Sequence, residues 1–562
     1  MSRHILRSTA FAVFAVLAVA ACESHRPEPK QASTTDRAGE RAPTFEGMGT
    51  HRRKVTTTNP EAQRYFNQGL ALSYGFNHDE AADSFAEAAR LDPECAMAYW
   101  GQAYALGPNY NLPFEKTDEN QLRQAYAAIQ KAIEKKPSAS PAERDLIDAL
   151  ATRFEEAPRE DWTRLDKAYA DAMAEVWKKH PDDTDIGVLY VDARMNQNRW
   201  DLWSKSGAPN THTREIIATL EHLFELDINH PGANHLYIHA IEPSPNPGKA
   251  EAAADRLGAL VPGCGHLVHM PAHIYIQVGR YMDSIACNRE ASRIDREYFA
   301  RVGPKGIYHF YHLHNTHFLI WSAMYAGRYE DAVTACDQMV KDVPDQFLDK
   351  FEAAEFLSAK LHVLIRFGRW EDVLATPAMP ENQPYARAMS HYARGVAFAN
   401  TGRYEEAKEE AKKFEKQAAA VKEDSKMRGV PAQEVLEIAR EMLAGETAFK
   451  EGNHELAFKH LTAAVAAEDA LLYTEPSPWM MPTRHALGAL SLQQGKIEEA
   501  EKCYRDDLKM RPGNGWALHG LAECLDRSGQ KEEAAKVREQ FNEAWTNATV
   551  EINASCFCRT ER

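Results

Sequence analysis

The 562-residue chain lacks an excess of positive charge: 66 Lys and Arg stand against 82 Asp and Glu, a net charge of −16 with histidine neutral. An acidic surface repels phosphate backbones, so nucleic acid is excluded as a partner class. The chain also lacks the motifs of familiar enzymes. It holds no Gly-rich phosphate loop, no Gly-x-Ser-x-Gly elbow, no His-Glu-x-x-His pair and no Cys-x-x-Cys-His haem attachment. Cysteine is sparse, with nine residues. Cys287, Cys336 and Cys503 fall on helix faces as small core hydrophobes. Cys556 and Cys558 could pair, but a Cys-x-Cys ring is strained and rare, so no disulfide framework follows. Signs of bulk disorder are missing too: hydrophobic residues make up 44% and charged residues 26%, a globular balance rich in helix formers.

At the N-terminus, "MSRHILRSTAFAVFAVLAVAAC" places Arg3 and Arg7 before an apolar run too short for a membrane span. Val19-Ala20-Ala21-Cys22 resembles a bacterial lipobox. The resemblance implies cleavage before Cys22, acylation of that residue, and a chain tethered by lipid rather than by a spanning helix. The expected placement is the bacterial cell envelope, as a lipoprotein of the outer membrane facing the periplasm; Glu23 after the cysteine favours that membrane. Residues 1–21 are then a signal peptide. Residues 22–58, largely polar and rich in Pro, Thr, Arg and Glu, form a flexible linker.

Beyond the linker a short turn recurs between helical segments: "GRY" at 279, 327 and 402, "GRW" at 368, "GNH" at 452, "GKI" at 495 and "GQK" at 529. The interval from Gly368 to Gly402 equals that from Gly495 to Gly529. Gly69, Ala81, Phe85, Ala88 and Pro93 form one full pattern, and Gly488, Gly495, Ala500, Tyr504 and Pro512 a second. Small residues let helices pack closely, the turn glycine accepts left-handed dihedrals, and proline ends the second helix. Period and pattern resemble the tetratricopeptide repeat family. The expected fold is therefore all-α, a tetratricopeptide-type helical superhelix, or α-solenoid. Its parts are N-terminal repeats over 59–140, central repeats over 141–413, C-terminal repeats over 414–545 and a tail over 546–562. Residues 107–121 read as an inserted loop, and 141–205 and 414–440 as helical but poorly matched to the repeat.

Histidine is unevenly spread: twelve of 23 lie between residues 212 and 317. His266 and His269 stand before turn Gly279 at the same offsets as His314 and His317 before turn Gly327, and His273 follows His269 at i+4. In the family this chain resembles, those offsets line the concave groove. Upstream, His235, His239 and Glu242 share a helix face at i, i+4, i+7. Imidazoles one turn apart on neighbouring helices converge on a transition metal, copper or zinc. His235, His239, His269 and His273 are the leading ligands, with His266, His314 and His317 next. Glu242 would be a further ligand or would hold an imidazole in place. Cys264 and Met270 would favour copper if they took part. Pro271, between His269 and His273, interrupts a simple one-face geometry.

The function expected is an exported, lipid-anchored repeat protein that binds a ligand in its concave groove, a transition metal at the histidine cluster. Two alternatives remain open at this point. One is an envelope scaffold that binds a protein or peptide in the groove without metal. The other is a metal-dependent enzyme of oxygen or hydrolytic chemistry.

Overall fold

The structure is a computed structural model that describes residues 41–156, 162–304, 306–348 and 350–559. The signal peptide, Cys22 and residues 22–40 of the linker lie outside the described residues. No helix among the described residues is long and apolar enough to cross a membrane.

Antiparallel helix pairs follow one another along the chain, beginning with Pro60–Tyr74 against His78–Leu91 and ending with Gly515–Arg527 against Lys531–Ala544. Local chemistry sets their ends. Asn59 caps the first helix by accepting from the backbone N–H of Glu61 and Ala62, with Pro60 at the first turn. Ser140 and Glu143 form a reciprocal capping box at the start of Pro141–Ala151. All seven turn glycines read from the sequence have φ between 64° and 86°, the left-handed region that makes a side chain costly. Close packing explains the helical glycines. The Phe85 ring is gripped between Gly69 and Gly101, where an added Cβ would come within 2.8 Å and 2.4 Å of it.

Three stretches position the site. Residues 41–58, read from the sequence as linker, lie against the solenoid: Phe45 N–H donates to Gln68, Val55 is buried, and Arg53 pairs with Asp183 and Asp185. The inserted loop around 107–121 folds back through Asn109, Tyr110 and the short turn Phe114–Lys116. Within 414–440, read from the sequence as helical, the chain leaves the Tyr404–Ala418 helix for a two-residue hairpin, Lys426–Met427 paired antiparallel with Val430–Pro431. Arg428 and Gly429, at φ 47° and 88°, make its tight turn.

The superhelix closes on itself rather than leaving an open trough. Tyr281 donates to the Pro512 carbonyl, Gln277 to the Tyr473 hydroxyl, and Lys205 to the Ala470 carbonyl. The tail returns as well. Tyr504 and Ser555 share a hydrogen bond, and Phe557 sits against Gly368. Cys556 and Cys558 are joined as a disulfide. The histidines expected to face an open groove are therefore enclosed: His235, His239, His266, His269 and His273 are at most 3% exposed.

Candidate metal centre

Three helical segments carry the histidines inward. Pro231–Ile241, opened by proline at its first turn, sets His235 and His239 one above the other and ends at Glu242. Gly306–Tyr325 carries His314. Between them the "GHLVHMPAHIY" stretch forms two five-residue helices, Gly265–His269 and Pro271–Tyr275, joined through Met270 in helical conformation. The proline takes an N–H out of the ladder, and the His273 N–H reaches back to the Met270 carbonyl.

The cluster falls into two groups, and the division runs between His266 and His269 on the one short helix. His266 joins His235 and His239, while His269 and His273 join His314; within each triad, one ring nitrogen per residue lies within 4.8 Å of the others. The triads are neighbours, with the His239 and His273 rings 5.9 Å apart and those of His266 and His269 6.0 Å apart.

The hydrogen bonds decide which nitrogen of each ring is free. His235 Nδ1 donates to the Tyr74 carbonyl at 2.6 Å, and His239 Nδ1 to Glu242 Oε1 at 2.8 Å. His269 Nδ1 donates to Asn288 Oδ1 at 2.6 Å, an orientation fixed because the amide nitrogen of Asn288 is committed to the Ser284 carbonyl. His273 Nδ1 donates to Glu242 Oε2. His235, His239 and His269 therefore keep Nε2 unprotonated, the arrangement found in histidines that bind metal through Nε2, and His273 shares their orientation. Within the first triad, His235 Nε2, His239 Nε2 and both nitrogens of His266 have no hydrogen-bond partner among the described residues. Buried polar atoms are rarely left so. In the second triad the two Nε2 atoms of His269 and His273 stand 2.8 Å apart. At that distance they share one proton: His273, held protonated by Glu242 and Glu475, donates Nε2–H to His269 Nε2, and a metal ion bound there would have to displace that proton.

Burial holds His235, His266, His269 and His314 well below the usual imidazole range, helped by repulsion from neighbouring rings, so these rings are neutral. Burial also pulls on His273, but Glu475 and Glu242 outweigh it and raise its pKa to about 10. Glu242, although buried, stays ionised because His273 and His239 donate to it. One carboxylate thus braces a histidine of each triad. Glu475 reaches His273 from the loop after residue 470, far away in the sequence.

Backbone strain is concentrated here. Of the four non-glycine residues with positive φ among the described residues, three belong to the site. Phe76 lies against His235, His239 and His266, Trp200 stands 5.4 Å from His239, and Arg428 contacts Glu355 and the Glu475 carbonyl. A cavity of about 1070 Å³ opens above the triads, with His239, His266, His273 and His314 at its lining.

Six of the seven histidines singled out from the sequence meet in the two triads. The seventh, His317, turns away: its Nε2 faces Met480 Sδ at 3.3 Å and its Nδ1 faces Arg428. Cys264 is occupied by the Gly75 carbonyl and Tyr308, outside both triads. Glu475 and Asn288 had no sequence signal, since neither stands in the histidine register. A third group, His51, Asp185 and His230, is internally satisfied. Asp185 accepts from both rings and from Tyr74, pinning the 41–58 strap to the body.

Residues 66–106 and 491–540 match the tetratricopeptide repeat family. Solved structures with similar backbones include the human IFIT1 dimer with m7Gppp-AAAA, 14% identical over 87% of this chain and 91% of that one, with a TM-score of 0.32. The crystal structure of yeast Tom70 is 11% identical over 86% of this chain and 91% of that one, with a TM-score of 0.30. No functional conclusion follows from likeness at that level.

Proposed function

We propose that this chain of tetratricopeptide repeats is a metal-binding protein whose paired histidine triads each hold a transition-metal ion, copper or zinc. The observation that carries the reading is the common orientation of four buried imidazoles. Each spends Nδ1 on a fixed acceptor and leaves Nε2 for the other rings of its own triad. His235, His239 and His266 would hold one ion, and His269, His273 and His314 the other, with Glu242 bracing both. Three nitrogen ligands leave a coordination position free, and the cavity gives access to it. That access favours the metal-dependent enzyme as the second reading. The bound ions would supply a Lewis acid or an activated water there. The repeats by themselves support the coarser role of a protein-interaction scaffold. The lipid anchor at Cys22 and the envelope location belong to this proposal and rest on the sequence from Met1 to Glu23.

Zinc titration with a chromophoric chelator tests the reading. Wild-type protein is expected to take up about two equivalents, and His235→Ala/His239→Ala and His269→Ala/His273→Ala about one each, with helical content unchanged. Uptake unaffected by either double substitution would refute it.

A further inference from the structure

The cavity over the triads is built for more than water. The only aromatic side chains among the large hydrophobics left exposed on the described residues are Trp200, 54% exposed, and Tyr473, 45% exposed, and both line it. Trp200 keeps its place at a φ of 59°, a conformation costly for a bulky residue, and packs against Tyr110 at 4.9 Å. Phe310, Tyr311 and Phe351 continue the aromatic wall. Two solvent-facing aromatics beside a cavity, one of them held in strained backbone, fit a flat apolar ligand.

The charge of the lining differs from that of the chain. Five cationic residues, Lys116, Arg199, Lys422, Lys426 and Arg428, face the cavity, against the acids Glu352, Asp424 and Glu475. In a chain of net charge −16 this is a reversal of sign. Arg199 and Arg428 each pair with one carboxylate, Asp166 and Glu355, yet Arg199 Nη2 and Arg428 Nε are buried with no hydrogen-bond partner among the described residues. Bound metal ions would add further positive charge beside His239, His266, His273 and His314.

We infer that the cavity binds an organic anion with an aromatic or apolar body, its carboxylate or phosphate group lying toward the histidine triads and its body along Trp200 and Tyr473. The inference rests on the metal reading for the charge at the inner end of the cavity and goes beyond it in naming the occupant. The lysines stand on two segments that depart from the regular repeat, Lys116 on the 107–121 insertion and Lys422 and Lys426 on the stretch that enters the Lys426–Pro431 hairpin.

Calorimetric titration of zinc-loaded protein with 2-naphthoate, 2-naphthyl phosphate and the neutral 2-naphthylmethanol tests it, with zinc measured on the same sample. Both acids, or whichever one the site prefers, should bind at least about ten-fold tighter than the alcohol. Lys116→Gln/Lys422→Gln/Lys426→Gln should remove most of that preference without weakening the alcohol, and Trp200→Ala should weaken all three probes. The acid and phosphate arms separate the two headgroups. Equal binding of acids and alcohol by protein that carries zinc overturns the inference and leaves the metal reading intact. Protein that holds no zinc overturns the metal reading. On such a sample a preference for acids that the lysine substitutions abolish upholds the anion site, and no preference overturns it as well.

Discussion

Glu242→Gln separates a working metal support from a buried ion pair of no further consequence. Glu242 Oε1 accepts from His239 in one triad and Oε2 from His273 in the other. An amide offers one oxygen and one NH₂ group, so it accepts from only one of the two imidazoles; the other N–H meets a donor and must rotate, change tautomer or, at His273, turn wholly to Glu475. In the first two cases that ring's Nε2 then carries the proton or points away. Removing such an outer support costs about 10–100-fold in metal affinity, or about 1.4–2.8 kcal/mol. One ion should be weakened by that amount, and the other by less, because its histidine keeps a neutral acceptor in place of a charged one. Asn288→Ala makes the complementary change: it frees only His269, so only the second triad should weaken. Chelator competition at pH 7.5 gives the two affinities, and far-ultraviolet circular dichroism checks the fold. A Glu242→Gln protein with unchanged helical content and both affinities within about two-fold of wild type would refute the proposed role of Glu242.

Three further outcomes follow from the packing and the buried charges. Gly520→Ala would place a Cβ 2.2 Å from the Tyr504 ring, which is buried and tied to Ser555, so the variant should lose about 1–3 kcal/mol and melt earlier despite its better helix former. Burial raises the Glu446 carboxyl to about 7. A raised acid stabilises fully below its unfolded value near 4.5 and loses that contribution as pH rises through 7. Glu446→Gln should therefore be more stable than wild type at pH 8, by up to about 3 kcal/mol, and equal to it at pH 4. Burial holds His78, His362 and His485 at about 4. These rings are stabilising when neutral, above their unfolded value near 6.5, and the contribution is lost as pH falls through 4. Melting temperature should drop across that window, and His362→Gln should flatten the drop.

The repeat was legible because its punctuation is chemical. Glycines 279, 327, 368, 402, 452, 495 and 529 mark turns that need positive φ, and no other residue type meets that need as cheaply. The histidine register was legible for the same reason, since offsets from Gly279 and Gly327 place side chains on one face. What the register could not convey was the split into two triads. His266 and His269 share one short helix yet meet different partners, His235 and His239 on one side and His273 and His314 on the other, which only the packing of neighbouring helices decides. Nor could it convey closure: contacts such as Tyr281 with Pro512 join repeats from distant parts of the chain and convert a groove into a buried centre. Glu475 arrives by that same closure. His317 shows the limit from the other side. Just under one helical turn beyond His314, it obeys the register but falls to Met480 and Arg428.

Elemental analysis of the full chain, purified without a histidine tag and without added chelator, is the most direct test of the metal centre. The paired triads call for about two transition-metal ions per chain, retained through dialysis and lost from the His269→Ala/His273→Ala protein in part and from a six-histidine variant entirely. Less than about 0.1 ion per chain, with no uptake of zinc or copper on dialysis against either metal, would contradict it.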